Sequence, residues 1–213
     1  MPQQQPKKRD AEKTKEKLVL CAERLFVKKG YHAVGVDEVA AAAHVNKRMI
    51  YVYFGDKRKL YEAVIDRIFS KIDKLDLSKY ETIDDYREQL SAVLKIYFSF
   101  LDDNLNFVRL LSWEKLYADK ESIQYLASQV NGVLKYLFEI LKQGVEKGAI
   151  RPDIDIQYLA SNINSLFIGF FSNKVLSEAV WGHEFTDQKN NDRIVENMLR
   201  MVFDGVLTGV QSF

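Results

Sequence analysis

The residues best equipped to do chemistry are Lys47, Arg48, Tyr51, Tyr53 and Lys57, set within ten residues of one another. Their chemistry is hydrogen bonding and charge pairing rather than bond making. Arg can donate two hydrogen bonds to the O6 and N7 of a guanine, whereas Tyr51, Tyr53 and Lys57 suit the backbone or thymine, ammonium and hydroxyls meeting phosphate oxygens and tyrosine rings meeting thymine methyls. Lys47 and Arg48 fall in the first turn of a short helix, where a DNA-reading helix touches base edges, and Met49 lies beside them. The bland alternative, that two adjacent cations are a solvated helix start, stays open on these residues alone.

No catalytic constellation competes with that reading. The chain has no GxGxxG, phosphate-binding GxxxxGK, GxSxG or HExxH pattern, and one cysteine, Cys21. Its three histidines, His32, His44 and His183, are far apart in predicted turns. No catalytic residue, metal site or cofactor is expected. A helical adaptor for protein partners, or an enzyme using scattered carboxylates, would share the helical pattern.

The elements that must position the five residues are two short helices and a tight turn. Val36, Val39 and Ala40 lie at helical spacing, His44-Val45-Asn46 interrupts, and Met49, Ile50, Phe54 and Leu60 resume. Asn46 is a strong N-cap for a helix from Lys47, and His44 suits the left-handed residue of the turn. Gly55 closes the helix and Asp56 caps the next, which carries Leu60, Tyr61, Val64, Ile65 and Ile68. Ile50 and Phe54 face inward, leaving Arg48, Tyr51 and Val52 on the other side.

The run from Gly30 to Leu60, with Tyr31, Ala40, Val45, Tyr51, Tyr53, Phe54, Lys57 and Leu60 in register, resembles the DNA-binding segment of the TetR family of transcriptional regulators. The resemblance covers residues 12–65 strongly. It implies a homodimer on a palindromic double-stranded operator, released when a small molecule enters the C-terminal domain, with Gly35, Val36, His44, Asn46, Lys47, Arg48, Met49, Tyr51, Tyr53 and Lys57 at the DNA. Three positions depart from the family. Gly35-Val36 replaces the usual hydroxyl residue, His44 the usual turn glycine, and Arg48-Met49-Ile50-Tyr51 the usual Gly-Thr-Leu-Tyr. The operator sequence therefore cannot be borrowed from other members.

Charge is distributed accordingly. Residues 1–60 carry 14 Lys/Arg against 7 Asp/Glu, while residues 61–213 carry 17 against 23, so a net +7 head joins a net −6 body. A basic head suits a polyanion. With 47% hydrophobic residues over 213 positions and no long apolar run, the chain reads as a cytoplasmic protein without membrane association.

Beyond residue 60 the pattern is amphipathic helix throughout. Thr82 and Asp85 mark a start for a stripe of Ile83, Tyr86, Leu90, Val93, Leu94, Tyr97 and Leu101. A shorter helix over Phe107–Leu116, a long one over 123–145 stopped by Gly148, one from Pro152 running over 153–176, and a last over 194–210 follow. The expected fold is all-α, about nine helices: a flexible basic tail (1–9), a three-helix DNA-binding domain with the helix-turn-helix (10–56), and an antiparallel helical bundle for ligand binding and dimerisation (57–213).

The last two long helices have apolar surfaces wider than one stripe, so a symmetric contact is expected through Leu166, Gly169, Phe170, Met198, Val202, Gly205, Val206 and Gly209. Tyr97, Trp113, Tyr117 and Phe167, with Arg109 and Asn162 as polar anchors, are the candidate lining for an apolar effector.

Overall fold

The computed structural model describes residues 5–71, 80, 83–117, 119–182 and 187–206; of residues 5–9, 130–134, 188, 205 and 206 it describes the backbone alone. Ten α-helices and one 3-10 turn are found among them, with no strand. Two compact units emerge, one formed by residues 1–71 with 109–129, the other by 72–108 with 130–213.

In the first unit, α1 (Gln5–Lys29), α2 (Val36–Ala43), α3 (Arg48–Phe54) and α4 (Lys57–Phe69) follow one another. Helix α1 buries Leu18, Val19, Ala22, Phe26 and Val27 against α2 and α4, because those positions recur along one side of the helix. Cys21 is half-buried on the same helix with a free thiol. Helix α4 contributes Leu60, Tyr61, Val64, Ile65, Ile68 and Phe69 to this core.

The rest of the first unit comes from the end of α6 (Leu105–Tyr117) and the start of α7 (Lys120–Glu146). The Trp113 indole donates to the Val27 carbonyl at 3.1 Å and lies against Gly30, where a Cβ would stand 3.1 Å from the ring. The Arg58 guanidinium meets Asp119 at 2.6 Å and Ser122 at 3.1 Å, and Tyr125 donates to Asp66 at 2.5 Å. Tyr61 and Glu114 form the buried member of this set, the hydroxyl donating to Oε1.

In the second unit, α5 (Tyr86–Asp103) opens on Asp85, whose Oδ1 accepts the Glu88 amide at 2.8 Å; Thr82 lies outside the described residues. It packs on α8 (Ile156–Ser172) and α10 (Asn191–Val206). Phe98 is the hub, within 5.8 Å of Phe167, 5.7 Å of Phe170 and 4.7 Å of Phe171 between ring centres. Gly144, inside α7, lets the Tyr86 ring pass where a Cβ would overlap it, and the Tyr86 hydroxyl donates to the Ile140 carbonyl.

The expectation of about nine helices is corrected to eleven, and both additions have local causes. The stretch read as one helix over 153–176 breaks at Asn173, whose side-chain amide takes the Gly169 carbonyl at 2.8 Å, so α8 ends and α9 (Lys174–Trp181) begins. A 3-10 turn, Gln188–Asn190, precedes α10. Pro152 does not open α8 either. It sits in a turn held by Arg151 and Asp153 at 2.8 Å, and Asp155 caps the helix by accepting the amides of Gln157 and Tyr158. The part of the last expected helix at 207–210 lies outside the described residues.

Glu114 generates a pH prediction. It is 6% exposed, its Oε2 has no hydrogen-bond partner, and burial raises its pKa, while the Arg58 guanidinium is engaged by Asp119. The folded state thus holds the Glu114 proton more tightly than the unfolded chain. Stability from this group is full below the ordinary glutamate range and falls as pH rises through the elevated folded value. Asp119 has the opposite sign: hydrogen bonds from Arg58 first, then from the Ser122 amide, hold it at about 2, so its contribution is lost as pH falls towards that value. Denaturant unfolding of the full chain should show Glu114→Gln losing the decline with rising pH seen in the unmodified chain. Tyr61→Phe, which strips the carboxyl of its one donor, should cost about 1–3 kcal/mol. Identical pH slopes for the Glu114→Gln and unmodified chains would refute the assignment.

Candidate nucleic-acid interface

The turn between α2 and α3 is fixed by backbone hydrogen bonds. Helix α2 ends as the His44 amide reaches the Ala41 carbonyl and the Val45 amide the Ala40 carbonyl, both at 3.0 Å, a pairing that requires a left-handed residue at His44. His44 takes φ 51 and ψ 44, the one positive φ among described non-glycine residues. Asn46 then accepts the Arg48 amide through Oδ1 at 2.9 Å, and Lys47 already has helical angles. Gly55 closes α3 at φ 85, its amide on the Tyr51 carbonyl, and Asp56 caps α4 through the Lys59 amide at 2.8 Å.

Helix α3 is therefore two turns long, and its two faces differ. Ile50 is fully buried; Met49, Tyr53 and Phe54 are half-buried. Lys47 and Arg48 are exposed, as are Tyr51 at 49% and Val52 at 61%. Residues 48, 51 and 52 stand one turn apart and share a side, presenting a guanidinium, a phenol and an isopropyl group together.

The cations are held unequally. The Lys47 ammonium meets Asp37 of α2 at 2.9 Å, and that hydrogen bond raises its pKa. Lys57 is half-buried, its ammonium 4.3 Å from the centre of the Tyr31 ring and 3.5 Å from the His32 carbonyl oxygen, and burial lowers its pKa. Gly35 is exposed, with no described atom within 4 Å of a Cβ position, and its carbonyl accepts from Glu38 and Val39. Val36 beside it is half-buried. Val52 stands on the exposed side of α3, where its helical phase opposite Ile50 places it, whereas Asp37, the partner of Lys47, was not among the residues singled out from the sequence.

The other candidate residues fall in two places. In the second unit the Tyr97 and Phe167 rings stack at 5.8 Å, and the Tyr97 hydroxyl donates to Asn164 at 2.6 Å; Asn162 is exposed. Burial raises the Tyr97 pKa well above the phenol range. In the first unit, Trp113 and Tyr117 pack with ring centres 5.8 Å apart, and Arg109 is exposed. The structure thus joins Tyr97 to Phe167 and Trp113 to Tyr117 as separate pairs.

Of the residues expected at a subunit contact, Leu166, Phe170 and Met198 line an apolar groove of about 370 Å³ between α8 and α10. Ile194 and Met201 complete its walls, with Asn190, Arg193 and Asn197 at the polar positions. Val202 is buried, and no described atom lies within 4 Å of a Cβ position at Gly169. Gly205 and Val206 close α10, while Gly209 lies outside the described residues. Among the described residues there is no group of side chains suited to a metal ion, and no helix long and apolar enough to cross a membrane.

Comparison with known proteins follows this layout. A profile described as "Bacterial regulatory proteins, tetR family" matches residues 18–64, and one described as "Tetracyclin repressor-like, C-terminal domain" matches residues 87–202. The HTH-type transcriptional repressor NicS of Pseudomonas putida is 26% identical over 169 residues, 77% of this chain and 78% of that protein. The HTH-type transcriptional activator FasR of Mycolicibacterium smegmatis is 34% identical over 94 residues, 44% of this chain and 43% of that one. The fold is shared with the transcriptional regulator FadR of Bacillus subtilis in complex with stearoyl-CoA, at TM-score 0.73 and 19% identity, covering 89% of this chain and 98% of that one.

The geometry separates two kinds of contact that binding measurements can tell apart. Arg48→Ala should cost about 1–3 kcal/mol and relax base preference at one position of each half-site. Lys57→Ala should weaken all sequences alike and flatten the salt dependence by about one ion. A folded Lys47→Ala/Arg48→Ala chain with undiminished sequence-specific affinity would show that base contacts lie elsewhere.

Proposed function

The chain belongs to the TetR family of bacterial regulatory proteins, and on that premise we propose that it is a repressor that binds a palindromic operator as a homodimer and leaves it when a small, largely apolar effector binds. Its family and relatives are DNA-binding transcriptional regulators rather than enzymes. The observation that carries the reading is the exposed face of α3, cationic and aromatic, in the part of the chain with net +7. Repression rather than activation is favoured by the longer match to a repressor, NicS, over the shorter match to an activator, FasR.

A two-fold dimer is the form that fits one short reading helix per chain. Seven residues reach too few base pairs for a specific site, and a dyad doubles the contacts while making the operator an inverted repeat. The groove between α8 and α10 supports those helices as the contact, since an apolar concavity of this size gains stability by being covered. Leu166, Gly169, Phe170, Met198, Val202, Gly205, Val206 and Gly209 are the proposed interface, within the 57–213 region to which dimerisation and effector binding are assigned. The working compartment is the cytoplasm, where the operator is.

The effector is taken to be apolar because aromatic rings dominate the α5–α8 packing, with Tyr97, Asn162 and Phe167 as its proposed contacts. The stearoyl-CoA in the FadR structure makes long acyl chains the first compound class to test.

Sedimentation should find two chains per particle. Phe170→Glu should give monomers that lose sequence-specific DNA binding with α1–α4 still folded, and a Phe170→Glu chain that remains dimeric would place the contact on another surface. Calorimetry with a C18 acyl-CoA, with and without operator duplex, should show the duplex weakening the ligand by the same factor as the ligand weakens the duplex. Equal ligand affinity in both titrations would remove the regulatory part of the proposal.

A further inference from the structure

Val52 is a largely exposed apolar side chain on the reading face of α3. It is 61% exposed on α3, on the side opposite fully buried Ile50 and beside Tyr51 and Arg48. A β-branched residue on the open side of a helix lowers helix propensity and gains little from packing, and a seven-residue helix has little propensity to spare. Its neighbours on that face can form hydrogen bonds; an isopropyl group cannot. It has nothing to offer a phosphate oxygen or a donor or acceptor edge of a base. In the major groove one base presents an apolar surface instead, thymine, through its C5-methyl group.

The geometry points to Val52 as a specificity-determining residue that reads the C5-methyl of a thymine in each half-site. This inference rests on α3 entering the major groove, the reading argued above. Arg48 lies one helical turn away on the same face, roughly 6 Å along the axis, so its guanine and the Val52 thymine should fall within about two or three base pairs of each other. The two side chains select different features. Arg48 seeks paired acceptors, whereas Val52 distinguishes thymine from cytosine, which lacks the methyl and carries an exocyclic amine there.

The test uses the full chain and duplexes it selects itself from a random-sequence pool. The selected duplex is resynthesised with deoxyuridine in place of thymidine, one symmetric pair of positions at a time. This removes the C5-methyl and leaves base pairing intact. One such pair should weaken binding about three- to fivefold per half-site, the factor expected for one buried methyl. Val52→Ala should weaken the parent duplex by a similar factor and become indifferent to deoxyuridine at that position, while still discriminating at the Arg48 guanine. Alanine at an exposed helical position leaves the fold intact, which thermal unfolding checks.

A Val52→Ala chain as sensitive to every deoxyuridine as the unmodified chain would overturn the assignment, and so would a duplex in which no thymine methyl matters. Loss of the sensitivity in Tyr51→Ala, with Val52→Ala unchanged, would transfer the role to Tyr51 and equally overturn it. Failure to recover any duplex would be a distinct result, overturning the DNA reading itself and this inference with it.

Discussion

Everything this protein can do with DNA depends on the burial of Ile50. Helix α3 has seven residues, well short of the roughly 12–15 at which an isolated helix becomes marginal in water. Its own hydrogen bonds cannot hold it. Ile50 is the one fully buried side chain of α3, and Met49, Tyr53 and Phe54 give it partial cover. Truncating such a side chain to alanine costs about 2–5 kcal/mol. The loss would fall on the element that carries Arg48 and Tyr51, so local order and groove contact share one contact.

Helix α3 packs against α4, and α4 is held from outside the first four helices. Arg58, Tyr61 and Asp66 span its length, and each bonds a residue between 109 and 129: Asp119, Glu114 and Tyr125. Two of these contacts are half-exposed or more open and contribute modestly. Tyr61–Glu114 is different because both partners are buried, so loss of one leaves a polar group without water or partner. A helix-turn-helix read as residues 10–56 is thus completed by a corner of chain fifty residues further on.

Local chemistry was legible in the sequence; long-range partnership was not. Asn46, Asp56 and Asp85 accept amides two or three residues ahead, and His44 turns the chain through its own torsion angles, so each could be read without knowing the fold. The reading face of α3 followed from helical phase alone. Gly144 gave no such signal. It looks like any costly glycine inside a helix until Tyr86, far away in sequence, is seen to occupy the space of its missing side chain. Likewise Trp113 and Tyr117 look like pocket aromatics by type. The tertiary partner of the indole, the Val27 carbonyl, has no periodicity to announce it. The break at Asn173 escaped because the apolar pattern continues past it, while the Asn173 side-chain amide doubles back onto the Gly169 carbonyl that its own backbone amide already uses.

Charge placement explains how a basic head can be stable without DNA and still bind it. Several cations of the first unit are already matched within it: Lys29 with Glu38, Lys47 with Asp37, Lys59 with Glu62 and Arg67 with Glu23. Unmatched, they would repel one another across a small surface. Lys47 and Asp37 are both exposed, so water screens their pair and salt weakens it further. A phosphate that displaces Asp37 gives up little and gains the release of its condensed counterion. Exchange at Lys47 therefore costs less than desolvating Lys57, which burial and the Tyr31 ring hold in place. On the proposed DNA-binding reading the two lysines would divide the work accordingly, one exchanging Asp37 for a phosphate, the other bringing a fixed charge to the edge of the surface.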